Sequence, residues 1–423
     1  MTKSRTLVFA GLLFLISTSA IMLRFWKEHE QQEVIHLGIL HALSGPASGP
    51  TENAIVDAEL LAIAEINAQG GIMGRLVAPE VMDSGGDPEK AARALISERK
   101  VSAIFGCHMS ICRKAVRNIV EEQNSLLIYP APYEGLESSR NIIYLGATPN
   151  QVITPAVNWA LENKGKRFLL IGSDFIWPHM VNEIAKDALM AINGEWVGEL
   201  YIPLNSEVTT QIIELIKTKK PDVILSSLVG ISAKSFLSAL QETGITAHDI
   251  PVLMAPSISE TDLDTYSPKD LVGHYVAWSY FEALNREENQ AFIKRFRDRY
   301  GVDRRINDIM QAAYSGIHLW AKAVERAQTI EINQVRQALL GMSYQAPEGI
   351  ISIDATTQHA WRSFYLGQFT KDKSIQPIWT AEYPISPLPY PTTRTKTIWD
   401  SLEINLYHQW NDHWYAPLTK TVQ

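Results

Sequence analysis

The side chains best suited to chemistry fall in a few short stretches. Cys107, His108 and Cys112 put two thiols beside an imidazole, the pairing a cysteine nucleophile needs. A cysteine hydrolase also needs a third group to orient the base, and the sequence reveals none. There is no Gly-x-Ser-x-Gly elbow, Walker loop or His-Glu-x-x-His pair, and no Gly-x-Gly-x-x-Gly fingerprint after the first strand. The pattern points away from an enzyme. Two cysteines are too few for a disulfide scaffold and lack the paired spacing of a zinc site, so no metal and no cofactor is expected. They read as small, partly buried thiols beside a helix start, with one local bridge left open to them in an oxidising compartment.

Other residues are suited to recognition. Ser110 falls at the expected N-terminus of a helix, where unpaired N–H groups and a hydroxyl can hold a carbonyl oxygen or an anion; it serves equally as a plain N-cap. Tyr129-Pro130-Ala131-Pro132-Tyr133 is stiff, because its prolines fix the backbone, and it offers carbonyls that no ladder is expected to use. Phe175 and Trp177 follow Gly172-Ser173-Asp174 and would supply an apolar wall, or else core.

These stretches sit at the ends of expected strands. From residue 34 onward, short apolar runs alternate with helical patterns, which predicts parallel sheets covered by helices. The first series has strands at 34–40, 76–82, 103–106 and 126–129. A second, after Pro149-Asn150, has strands at 167–172, 197–202, 222–226 and 251–254. Two series imply two doubly wound lobes. Ligands of such sheets bind beyond the carboxyl ends of the strands, so the loops after Leu40, Gly106, Tyr129, Gly172, Ser226 and Met254 would face a shared cleft. Helices are expected at 287–300, 309–327 and 332–340, strand-like pieces at 349–353 and 364–369, and a proline-rich strap from Pro384 to Pro391. Trp399, Leu402, Leu406, Tyr407, Trp410 and Trp414 then fall near one helical face, expected to pack back onto the protein rather than dock a partner.

Composition narrows the function. With 46% hydrophobic and 20% charged residues in 423, the chain is an ordinary globular sequence of more than one lobe. A net charge of -8 makes nucleic acid an unexpected partner. Lys3 and Arg5 precede an apolar run from Leu7 to Leu23, followed by Arg24 and Lys27, which reads as an export signal. Thr18-Ser19-Ala20 offers a cleavage site; at about 17 residues the run also approaches the length of an uncleaved inner-membrane anchor. Either way the folded part is expected outside the cytoplasm, in the periplasm or its equivalent.

Several segments together carry a resemblance. Gly106-Cys107-His108-Met109-Ser110 with Arg113-Lys114-Ala115-Val116, Tyr129 to Gly135, Pro149-Asn150-Gln151 and Gly172-Ser173-Asp174 resemble the urea- and amide-binding branch of the Leu/Ile/Val-binding protein family. Gly273 to Trp278, Ala312-Ala313-Tyr314, Ala346 to Gly349 and Gln358-His359 extend it over roughly residues 34–390. The resemblance implies a type I periplasmic-binding-protein fold, α/β, with two doubly wound parallel-sheet lobes joined by three crossovers. It implies a solute-binding component of an ABC importer that captures urea or a short amide and docks on permease subunits. A membrane-anchored sensor of the same fold, feeding a signalling partner, is the alternative. The implied organisation is a signal or anchor at 1–27, first lobe at 28–150 and 276–345, second lobe at 151–275 with a return at 346–390, and an aromatic extension at 391–423. Carried over by position, the implied ligand residues are His108, Ser110, Tyr129, Ala131, Pro132 and Phe175. Of these, His108 stands where relatives usually have Tyr or Trp, Ala131 where amide binders have Thr, and Phe175 where Tyr is common.

Overall fold

The computed structural model describes residues 34–45, 48–207 and 209–417, so the apolar run from Leu7 to Leu23 lies outside the described residues. Among those described, no helix is long and apolar enough to cross a membrane.

The first series builds one parallel sheet, from β1 (Ile35–His41), β2 (Val77–Asp83), β3 (Ile104–Gly106), β4 (Leu127–Tyr129) and β5 (Ile142–Tyr144), in the order β2-β1-β3-β4-β5. β3, β4 and β5 are buried throughout, as expected of strands covered on both faces. Three helices alternate with them: α1 (Pro50–Ala68), α2 (Pro88–Ser97) and α3 (Ser110–Glu122). At the end of β3 the chain needs Gly106: its φ is 138°, and a Cβ there would lie 2.1 Å from the Leu40 carbonyl oxygen.

The second lobe starts with α4 (Pro149–Asn163). Proline occupies its first turn, and the Thr148 N–H donates to Gln151 Oε1 at 2.8 Å. Then follow β6 (Arg167–Ser173), α5 (Ile176–Ala191), β7 (Glu195–Ile202), α6 (Thr210–Lys219), β8 (Val223–Ser227), α7 (Gly230–Glu242), β9 (Val252–Met254), a 3-10 helix at Glu260–Thr265, α8 (Pro268–Leu271) and β10 (Tyr275–Trp278). The chain then returns to the first lobe as α9 (Glu287–Tyr300), α10 (Asp308–Ala327), which lies along α1, and α11 (Ile332–Leu339).

The next segment differs from the expected return at residue 346. β11 (Ser343–Ala346), β12 (Gly349–Ile353) and β13 (Ala360–Trp361) form a separate three-stranded sheet against α10. β11 packs on α10 and His359, beside β13, bridges to Tyr144 of β5, which keeps this sheet with the first lobe. The second sheet regains the chain only at β14 (Tyr365–Phe369) and β15 (Ile375–Thr380), both antiparallel, giving the order β15-β14-β10-β9-β8-β6-β7.

The three connections between lobes meet at Arg362. Its Nε donates to Glu348 Oε2 at 2.8 Å, and its two terminal nitrogens donate to Asp308 Oδ1 and the Leu145 carbonyl. Asp308 also accepts the Ser279 N–H at 3.0 Å. Arg362 and both carboxylates are fully buried, so the connections are held by charge-assisted bonds that water does not screen.

Candidate functional site

α3, which follows β3 of the first lobe, touches α5, which follows β6 of the second. On the first wall, the loops after β3 and β4 bring five of the expected residues together. His108 is 31% exposed at its side chain and places Nδ1 3.5 Å from Glu52 Oε1. Ser110 begins α3 and is buried, as are Tyr129 and Ala131, while Pro132 is partly so. Phe175, the residue before α5, belongs to the second lobe and is buried in its core, its ring centroid 6.1 Å from that of Trp177.

The bonding of these residues departs from the sequence expectation in three ways. Cys107 and Cys112 are joined in a disulfide, not left as free thiols. Entry into α3 winds the chain back until the two Cα atoms are 5.5 Å apart, within bridging range, and the bridge encloses His108 and Ser110. The Tyr129 carbonyl is not left free: it accepts the Leu145 N–H at 2.8 Å, while the Tyr129 hydroxyl donates to the His108 carbonyl at 2.8 Å. Tyr129 therefore braces the loop that carries His108. Finally, Ser110 is part of a charged network. Its Oγ donates to Glu134 Oε2 at 2.5 Å and accepts from Arg113 Nη1 at 3.0 Å.

That network is the main feature missed in the sequence. Arg113 reaches Glu134 Oε1 at 2.6 Å and Glu137 Oε1 at 3.1 Å, all three fully buried, with its guanidinium carbon 4.3 Å from the Tyr133 ring centre. Burial pushes the Glu137 carboxyl upward, but Arg113, Lys114 and Arg117 outweigh this and hold it at about 2. Lys114 extends the network to Glu403 at 2.9 Å, and burial raises the Glu403 carboxyl to about 7. One signal was readable: Ser110, Arg113 and Lys114 share a helix face at i, i+3 and i+4. No local signal marks Glu403.

A second cluster lies behind His108. His41, at the end of β1, places Nδ1 2.9 Å from Glu52 Oε2 and Nε2 3.2 Å from Glu59 Oε2, all deeply buried. Burial lowers the His41 pKa, but Glu59 and Glu52 overcome that and raise it to about 10, so the ring is an imidazolium at neutral pH. Glu52, opposed by its own burial but drawn down by His108 and His41, is held at about 2. Nearby the lobes touch: Thr51 Oγ1 is 2.9 Å from Thr261 Oγ1, and Asn307 Nδ2 donates to Ser259 Oγ at 3.1 Å.

The second wall carries the aromatic extension. α12 (Lys396–Gln409) packs on α5, with Trp399 fully buried. Beyond it, Phe175 pairs with Tyr415: the Ile176 N–H donates to the Trp414 carbonyl and the Ala416 N–H to the Asp174 carbonyl, both at 3.0 Å. Among the described residues no group of His, Cys, Asp or Glu side chains is arranged to hold a metal ion. An open depression beside α9, lined by Gln290, Arg297 and Val302, includes none of the expected site residues.

The described architecture matches known proteins. Residues 35–396 match the family described as "Periplasmic binding protein domain". "Leu/Ile/Val-binding protein homolog 6" of Brucella melitensis is 23% identical across 80% of this chain and 88% of that one. A solute-binding protein of an ABC transporter from Rhodopseudomonas palustris HaA2, solved with p-hydroxybenzoic acid, has a TM-score of 0.77 at 21% identity over 84% of this chain and 98% of that one. The branched-chain amino acid transporter substrate-binding protein LivJ of Streptococcus pneumoniae, solved with isoleucine, has a TM-score of 0.72 at 18% identity over 81% of this chain and 98% of that one. A limonene hydroxylase of Geobacillus stearothermophilus is 32% identical over 133 residues, but the chain spans only 24% of its length. The solved structures share the type I α/β fold, and the family match gives an extracytoplasmic, non-enzymatic binding role. The chain belongs to the periplasmic binding protein domain family.

Proposed function

We propose that this protein captures urea or a short-chain amide between its lobes and delivers it to the permease subunits of an ABC importer. The observation that carries the ligand class is the state of Ser110. Its proton is committed to Glu134 Oε2, and one lone pair accepts from Arg113, so a solute can meet it only as a hydrogen-bond donor. A solute carboxylate at Ser110 would gain no hydroxyl donor and would face the Glu134 carboxylate. Urea and amides carry N–H donors and no charge, and suit such a wall. His108 adds a second polar group at the cleft, with Phe175 opposite as an apolar face.

The relatives named above were solved with an aromatic acid and an amino acid, both carboxylates, and these define the competing outcome. Thermal-shift titration with urea, acetamide, p-hydroxybenzoate and isoleucine tests the proposal. A ligand at a hundred times its Kd stabilises the native state by about 2.7 kcal/mol, a shift of several degrees. Urea or acetamide should shift the melt at millimolar or lower concentration. A shift with p-hydroxybenzoate or isoleucine and none with urea or acetamide would overturn the ligand class.

A further inference from the structure

The C-terminal segment is fastened to the second lobe and reaches across to the first. Arg394 holds Asp187 at 2.6 Å and Glu183 at 2.9 Å on α5. Trp399 donates from Nε1 to the Pro391 carbonyl at 2.9 Å, and the Trp410 ring packs edge-on to His179 with centroids 5.1 Å apart. Residues 414–416 then pair with Asp174–Ile176, at the ligand-facing end of β6. From this fixed base two side chains meet Lys114 of the first lobe. Glu403 takes its Nζ at 2.9 and 3.0 Å, and the Trp414 ring lies 4.8 Å from it. Pro389 and Tyr390 pair with the Leu136 backbone nearby, at 2.7 and 3.0 Å.

We propose that this segment is an interlobe clamp in which Glu403 and Trp414 are positioning residues: by holding Lys114 they keep the lobes closed around the cleft before any solute is bound. Lys114 and Glu403 are 4% and 10% exposed; Lys114 keeps Glu137 and Glu134 at 3.6 and 3.7 Å within its own lobe, so it is the Glu403 carboxylate that depends on Lys114 in the closed form, whereas in an open form water would solvate it. Removing the Glu403 carboxylate takes this attraction from the closed form and leaves the open form nearly untouched. A ligand-independent bias of this kind raises apparent affinity, because less of the binding energy goes into closure.

The test needs no solute, so its outcome is separate from that of the ligand class. Spin labels on Cys introduced at exposed Glu89 of the first lobe and Lys234 of the second report the interlobe distance in the full chain. The parent should give a predominantly closed distribution without ligand. Glu403→Gln should raise the open-to-closed ratio at least about ten-fold. Lys114→Met should do the same, and Glu403→Asp should retain part of the closed population. A purely structural role would lower the melting temperature and leave the distances unchanged in both Glu403→Gln and Lys114→Met, and that result overturns the clamp. So does a parent that is already mostly open.

Discussion

Replacing Arg113 with methionine keeps the length of the side chain and removes the charge that two buried carboxylates share. Glu134 and Glu137 are both fully buried and bonded to Arg113 at 2.6 and 3.1 Å, and Glu137 Oε2 has no hydrogen-bond partner of its own. Breaking a buried pair from one side costs about 3–5 kcal/mol, since the remaining charge is left desolvated. For a lobe of about 200 residues that is a fall in Tm of roughly 6–20 °C. In the parent, Glu137 titrates at about 2, below its unfolded value, so its stabilisation is fully present above pH 4.5 and is lost as pH falls through 2. In Arg113→Met the Glu137 carboxyl loses the strongest of the charges that oppose its burial and moves upward, so the deficit should be largest at neutral pH and shrink as pH falls toward 4.5. Combining Arg113→Met with Glu134→Gln and Glu137→Gln removes all three charges and should recover much of the loss. Calorimetric melts from pH 4.5 to 8 measure this. A Tm within two degrees of the parent at pH 7, with no narrowing at lower pH, would show that the pairing does not hold this wall.

Burial holds His274 and His359 at about 4, against an unfolded value of about 6.5, and the Val252 N–H donates to His274 Nδ1 at 3.0 Å. Both rings are neutral in the fold, so stability should fall as pH drops from 6.5 to 4, by about 1.4 kcal/mol per pH unit for each ring. Urea-free chemical denaturation with guanidinium should show this slope, and His274→Gln, which can still accept from Val252, should flatten its share; an unchanged slope counts against it. The Cys107–Cys112 bridge predicts no titratable thiol in the unreduced, denatured protein, and two thiols would refute it. Because the bridge closes a short loop, Cys107→Ser with Cys112→Ser should cost about 2 kcal/mol, read as a lower Tm.

Much of the fold was legible because its signals are local. Apolar runs such as Leu37 to Leu40 and Val223 to Leu225 are buried on both faces and read directly as central strands. The helices near 88–99, 287–300 and 309–327 carried amphipathic periods and formed within a few residues of expectation. β5, β11 and β15 and the helix at Thr210–Lys219 were missed. The three-residue β5 is too short to show a period, and β15 alternates buried and exposed residues only irregularly around Pro377. The structure places 346–361 differently for another reason: a β-hairpin's pattern names a buried face but not the surface that buries it.

The candidate site divides the same way. The sequence by itself determined that the loops carrying Ser110, Tyr129 to Tyr133 and Phe175 lie at the carboxyl ends of strands, while the grouping of His108, Ser110, Tyr129, Ala131, Pro132 and Phe175 as ligand residues came from the family resemblance. Only the tertiary structure decided what those residues bond to. Ser110 answers to Glu134, 24 residues away, and Lys114 to Glu403, 289 residues away. Buried charges must find a partner wherever the fold supplies one, and that choice depends on three-dimensional proximity, which spacing along the chain does not encode.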